Sequence, residues 1–271
     1  MTKNYELDGD LMRAGAGGAY TNFKDSADAP RHVAQAPKVV AFDGLLTNKI
    51  LTGLPGADFA RLLPHMEPVE LTCDQNLYYL GDPPEFVYFP ENAVVSHLHI
   101  LSDGGTIEAD MVGRDGLTGL SAVFNSHPPE RWTKVTIGGS ALRVRAEVMR
   151  QEFALCGGVQ QSLLAYASAR LAQVAQRAVC NGLHSVEQRL CSWLLMIHDR
   201  AGDERLPLTH ERIARHLGTR RAGITELATA LRARGHISYS RGLIRVVDRQ
   251  GLEACACECY RVQARPRARV N

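Results

Sequence analysis

The stretch 208–247, LTHERIARHLGTRRAGITELATALRARGHISYSRGLIRVV, constrains the fold more than any other part of the chain. A short amphipathic helix over 209–217 carries its apolar residues at Ile213, Ala214 and Leu217, and a turn, Gly218-Thr219-Arg220, follows at once. Beyond it Ile224, Leu227, Ala228 and Leu231 recur at i, i+3, i+4 and i+7, which gives a second helix a single buried stripe. Two helices joined this way form a helix-turn-helix. Arg220, Arg221, Gly223, Thr225 and Glu226 remain on the leading turns of the second helix, the positions that fit a DNA major groove. After Gly235 the apolar period drops to two (Ile237, Tyr239, then Leu243 and Val247) around the turn Ser240-Arg241-Gly242, which predicts a hairpin or wing.

Charge singles out the same region. Between 205 and 249 there are ten arginines against Glu211, Glu226 and Asp248, whereas the whole chain is only +2. Positive charge concentrated on one module is the electrostatic footprint of phosphate binding.

The remainder reads as an ordinary globular protein: 271 residues, 45% hydrophobic and 22% charged, with room for a sizeable core. There is no long apolar run, and no charged start followed by an apolar core, so a cytoplasmic protein without membrane contact is expected. Residues 1–41 lack a sustained period and are expected to be a flexible tail. Residues 42–157 predict many short strands separated by turn-formers such as Gly81-Asp82-Pro83-Pro84 and Gly138-Gly139-Ser140, hence a small β-sandwich or barrel. A helical segment over 146–155 closes it. Residues 158–182 carry the longest helical pattern, with Leu163, Tyr166, Arg170 and Val174 on a narrow seam among small residues, and this predicts helix pairing between two chains. Ser185 with Gln188 fits a capping box at the start of a region, 183–262, that contains the helix-turn-helix and ends in a helix capped by Asp248. Residues 263–271 form a basic tail. The fold class expected is α+β.

This order of elements, with LTHERIARHLGTRRAGITELATALRARGHISYSRGLIRVVDRQGLE, resembles the Crp/Fnr superfamily of bacterial transcription regulators over roughly residues 45–262. The resemblance implies a homodimer joined along the long helix, a cyclic-nucleotide-binding-like β-roll as sensor, and two recognition helices that read a pseudo-palindromic site. It places Arg221 where the family presents a base-reading arginine, able to donate two hydrogen bonds to guanine. Ala222 and Glu226 stand where the family commonly has a glutamate and an arginine, so a different half-site is expected. Arg220, Thr225 and Glu226 are further base-reading candidates, and Thr209, His210 and Arg241 are candidates for backbone contact. In the sensor, Gly119 and Leu120 fall in the segment that embraces cyclic AMP in other members, with Leu120 in place of the glutamate. Arg131 is the candidate phosphate arginine. Without the carboxylate the ribose contact is lost, so cyclic AMP binding in the usual manner is not expected. The partners expected are double-stranded DNA and a second copy of the chain, with RNA polymerase and an unidentified small-molecule effector as further candidates.

Other chemistry is poorly supplied. Seven scattered cysteines argue against structural disulfides, and none precedes Cys73, where the iron-sulfur members of the family carry theirs. Cys255, Cys257 and Cys259 would not converge on one helix, because 255 and 259 share a face and 257 points away; no histidine follows at ligand spacing, so no metal or other cofactor is expected. His97 and His99, two apart on a strand, offer an alternative as a cupin-like metal site for an enzyme. No nucleophile elbow, phosphate loop or paired carboxylates accompany them, and no catalytic residue is assigned.

Overall fold

Alternating apolar and polar residues between 67 and 145, joined by a short strand at 38–39, resolve into two antiparallel four-stranded sheets. One has the order β1 (Lys38–Val39), β2 (Glu67–Leu71), β8 (Gly139–Arg145), β4 (Phe86–Pro90). The other runs β3 (Asn76–Tyr78), β7 (Trp132–Ile137), β5 (Val94–Ile100), β6 (Thr106–Val112). Val69, Leu71 and Tyr88 of the first sheet pack on Tyr78, Val95 and Val135 of the second. This computed structural model describes residues 37–40, 45–79, 81–101, 105–124 and 132–264. The expected tail up to residue 36, the phosphate candidate Arg131, and the basic tail from 265 onward lie outside the described residues. Within the segment expected to be a tail, Lys38 and Val39 pair with Glu70 and Val69, so backbone hydrogen bonding orders the chain earlier than its composition suggests.

Short helices α1 (Lys49–Thr52), α2 (Gly56–Leu62), α3 (Leu120–Val123) and α4 (Ala146–Ala154) accompany the sheets. The long helix α5 (Gly158–Leu183) has 26 residues, about 39 Å at 1.5 Å per residue. Its inner face closes a core made with Val87, Phe89, Leu117, Val144 and Met149. Here the expected dimer seam is corrected. Leu163, Tyr166 and Arg170 are only 1%, 4% and 9% exposed and pack within their own chain, while Val174 is half-buried. Tyr166 Oη donates to Leu117 O at 2.8 Å and Arg170 Nη1 to Met111 O at 2.7 Å. The longest side chains of the helix found their partners on the β-roll, the nearest apolar surface. What faces outward is a second stripe, Leu164, Ser168, Leu171, Ala175 and Ala178, all exposed and spaced by four and three in turn.

Next comes α6 (Val186–Ala201), whose capping box of Ser185 and Gln188 forms as the sequence predicts. It is followed by β9 (Arg205–Leu206), α7 (His210–Leu217), α8 (Arg221–Ala233), β10 (Ile237–Ser240) and β11 (Leu243–Val246). Strand β9 pairs with β11 and makes the wing a three-stranded sheet. The single terminal helix expected over 249–262 is two, α9 (Arg249–Cys255) and α10 (Glu258–Ala264), because Ala256 is extended (φ −77°, ψ 155°). One core includes Trp193, Leu194, Ile213, Leu217, Ile224 and Leu231 together with Val94, Met111 and Ile137 of the β-roll. The helix-turn-helix is therefore docked on the β-roll. Among the described residues no helix is long and apolar enough to cross a membrane.

Candidate nucleic-acid interface

Thr209 caps α7 by accepting from Arg212 N, and Gly218, at φ +61°, ends it in the left-handed region. Helix α8 starts three residues later, with Arg220 at its N-cap and Ile224, Ala228 and Leu231 buried beneath. Its outward face presents Arg221, Ala222, Thr225 and Glu226, with Arg220 exposed beside them. The wing turn, Arg241-Gly242, has both residues at positive φ (+49° and +78°), a pair of angles suited to a two-residue hairpin.

Three side chains fix these parts to one another. The His210 ring stacks on Tyr239 of the wing with centroids 4.3 Å apart, and its Nδ1 lies 3.0 Å from Thr225 Oγ1 on α8. Burial, and after it the Arg221 charge, lower the His210 pKa. His210, expected from the sequence to contact the DNA backbone, is 8% exposed, and its ring is packed between α7, α8 and the wing. Thr225 keeps an exposed position but its hydroxyl is engaged with His210 and with Arg221 O at 3.1 Å.

The arginines divide into two groups. Arg205, Arg212, Arg215, Arg234, Arg245 and Arg249 each have a carboxylate partner, among them Asp74 at 2.5 Å from Arg212, Glu204 at 2.8 Å from Arg245 and Asp199 at 2.8 Å from Arg249. Arg220, Arg221, Arg232 and Arg241 have no ion-pair partner among the described residues. Three of these four flank the start of α8 and the wing tip. The first turn of α8 holds no acid, so its dipole adds to the same positive field. Glu226 is the one carboxylate on that face.

Behind the interface lies a buried polar cluster that the sequence reading did not single out. Glu108 of β6 is 1% exposed, and its Oε1 accepts from Arg177 Nη2 of α5 at 2.7 Å and from Trp193 Nε1 of α6 at 2.9 Å. Its Oε2 accepts from Ser96 Oγ at 2.6 Å and lies 2.8 Å from His216 Nδ1 of α7. Burial alone would raise the Glu108 carboxyl, but the charges of Arg177 and His216 and the surrounding hydrogen bonds outweigh it and hold the group at about 2. One carboxylate thus ties together the β-roll, the long helix, α6 and the first helix of the helix-turn-helix. Arg212 Nη2 reaches Asp74 on the β-roll, and Gly218 packs against Ile107, so the docking has three anchors.

In the expected ligand segment, Gly119 has φ +98°, and a Cβ there would lie 2.5 Å from Tyr78 Oη. Leu120 is half-buried and joins the core under α5. A Cβ on Gly116 would fall 2.3 Å from Tyr166 Oη, so the segment is clamped directly to the long helix. Between the sheet and α5, Arg170 is paired with Asp110, and His97 Nε2 lies 2.9 Å from Thr118 Oγ1. The cupin-like pairing does not form. His97 lies against Thr118 and, through Nδ1, 3.6 Å from Asp110 Oδ2, while His99 is exposed, and among the described residues neither belongs to a cluster of metal-ligating side chains.

A winged helix-turn-helix joined through a long helix to an eight-stranded β-roll is the architecture of Crp/Fnr transcription regulators, and the comparisons agree. Residues 188–255 match the model of the Crp-like helix-turn-helix domain. FixK2 from Bradyrhizobium japonicum superposes with a TM-score of 0.61 at 18% identity, covering 71% of this chain and 98% of its own. A protein from Eubacterium rectale described as a Crp/Fnr-family transcriptional regulator gives 0.60 at 19% identity, over 77% and 98%. The c-di-GMP-responsive global regulator CLP of Xanthomonas campestris gives 0.57 at 16% identity, over 71% and 99%. No curated protein matches the sequence. The chain thus carries a Crp-like helix-turn-helix domain over residues 188–255, within a fold that it shares with solved structures of Crp/Fnr type.

Proposed function

We propose that the chain binds double-stranded DNA as a homodimer, reads a pseudo-palindromic site with α8, and regulates transcription from it. The observation that carries this reading is the division of the arginines. Six are neutralised by acids of the same chain, and Arg220, Arg221 and Arg241 are left unpaired around one helix N-terminus and one wing tip. Arg221 is the leading base-reading candidate with Arg220 beside it, and Arg241 supplies a phosphate contact. Glu226 repels phosphate and suits a cytosine amino group. The two chains meet along Leu164, Leu171 and their outward neighbours, a period of seven over two residues that suits a left-handed helix pair.

The β-roll acts without cyclic AMP held in the usual way. Leu120 supplies no carboxylate for a ribose, and Tyr166 and Arg170 fill the space beside the Gly116–Leu120 segment. In vitro selection from random DNA tests the reading. A two-fold-symmetric consensus is expected, with Arg221→Ala relaxing one position per half-site at a cost of about 1–3 kcal/mol. Selection that yields no sequence preference at moderate salt would overturn it.

A further inference from the structure

Cys180 and His184 stand one helical turn apart at the end of α5. The break at Ala256 turns Cys257 and Cys259 toward them, because Cys257 now precedes a new helix. The three sulfurs and a ring nitrogen of His184 all lie within 4.8 Å of one another. Cys180 Sγ is 3.5 Å from Cys257 Sγ, and Cys259 Sγ is 3.5 Å from His184 Nδ1. Ligands about 2.3 Å from one tetrahedral zinc ion are separated by about 3.8 Å, so the donors already form a nearly closed tetrahedron. Their spacing suits one ion and is too tight for a multi-iron cluster.

We infer that Cys180, His184, Cys257 and Cys259 form a zinc site that staples the end of the long helix to the C-terminal helices. Thiolate and imidazole donors in a closed four-ligand set are the composition of structural zinc sites. The surroundings of the donors are those of a metal site as well. His184 Nε2 lies 3.2 Å from Glu258 Oε1, the carboxylate-histidine arrangement that orients a metal-bound ring. Gln176 Nε2 lies 3.0 Å from Cys259 Sγ, and Ser192 Oγ lies 3.1 Å from Cys257 Sγ. Arg189, whose Nε is buried without a hydrogen-bond partner, interacts with the charges of Cys180 and Cys257. An ion with three thiolates and a neutral imidazole carries a net charge of −1, which Arg189 offsets. Binding of zinc by the three cysteines releases their thiol protons to solvent.

The site stands independently of the DNA reading, and it is tested on the reduced full-length protein, purified without a metal-affinity column. Elemental analysis after equilibration in a zinc buffer is expected to find one zinc per chain. Cys73→Ser should keep it, and Cys257→Ser and His184→Ala should lower occupancy at least tenfold. Because a variant can lose zinc by misfolding, cobalt is titrated into the wild-type protein. Intense visible bands with thiolate-to-cobalt charge transfer are expected from a tetrahedral thiolate site. Failure of the reduced wild-type protein to take up stoichiometric zinc, or a weak octahedral cobalt spectrum, would overturn the assignment.

Discussion

Replacing Glu108 by glutamine removes one charge from the centre of the docked structure while nearly preserving its shape. The amide oxygen can still accept from Trp193 or Arg177, but Arg177, whose side chain is 11% exposed, loses its counter-ion. The carboxyl sits at about 2 against an ordinary 4.5, a difference worth about 3 kcal/mol at 1.36 kcal/mol per pH unit. Breaking a buried ion pair from one side costs a similar amount, about 3–5 kcal/mol. For a folded unit of this size that is a fall in Tm of roughly 6–12 °C, at about 2–4 °C per kcal/mol. A depressed carboxylate stabilises the fold fully above its unfolded pKa and loses that contribution as pH falls. The stability gap between wild type and Glu108→Gln should therefore be constant near neutrality and narrow by roughly 1.4 kcal/mol per pH unit below 4.5, toward zero near 2. Urea denaturation between about pH 6 and about pH 3.5 measures it. Adding Arg177→Met should recover part of the loss, since the orphaned charge goes with it. A variant that melts within about 2 °C of wild type at pH 7, or a gap that ignores pH, would refute the assignment of Glu108 as the charged anchor of the docking.

Two further outcomes follow from the geometry. Leu171 is 74% exposed on the outward stripe of α5, so Leu171→Glu should leave the fold intact and raise the dimer dissociation constant at least about tenfold by sedimentation equilibrium; an unchanged constant would move the dimer interface elsewhere. Gly119→Ala should lower stability by about 1–3 kcal/mol, because its φ is +98° and the added methyl meets Tyr78 Oη; thermal melting equal to wild type would show that the segment can rearrange.

What the sequence disclosed and what it withheld follow from the range of the interactions involved. The helix-turn-helix, the wing and the capping box are written in neighbouring residues, and periodicity recovered them to within a residue or two. Periodicity reports that a stripe is buried without saying against what, so it assigns to a partner chain residues that pack within their own. On α5 the stripe with the larger side chains, Leu163, Tyr166 and Arg170, is taken by the β-roll. His210 follows the same rule: adjacent to a helix N-cap it resembles a phosphate contact, and only the wing, folding back to place Tyr239 against it, packs its ring inside. Cys257 and Cys259 were held apart by the assumption of one continuous helix, and the break at Ala256 depends on the surface on which α10 lands. Glu108 left one available signal, an acid in a strand flanked by the apolar Ile107 and Ala109, but its four partners come from four other elements, three of them far along the chain.

The arrangement of anchors also limits how a signal can travel. Helix α7 touches the β-roll through His216 on Glu108, Arg212 on Asp74 and Gly218 on Ile107. Two of the three receptors, Glu108 and Ile107, are neighbours on β6. The next turn of that strand, Asp110 and Met111, is held by Arg170 of α5. A shift of β6 along its own direction would change both sets of contacts together. The exposed arginines of α8 rest on α7 through His210 and Thr225. If a ligand in the β-roll alters DNA binding, strand β6 and its Glu108 carboxylate are the physical route.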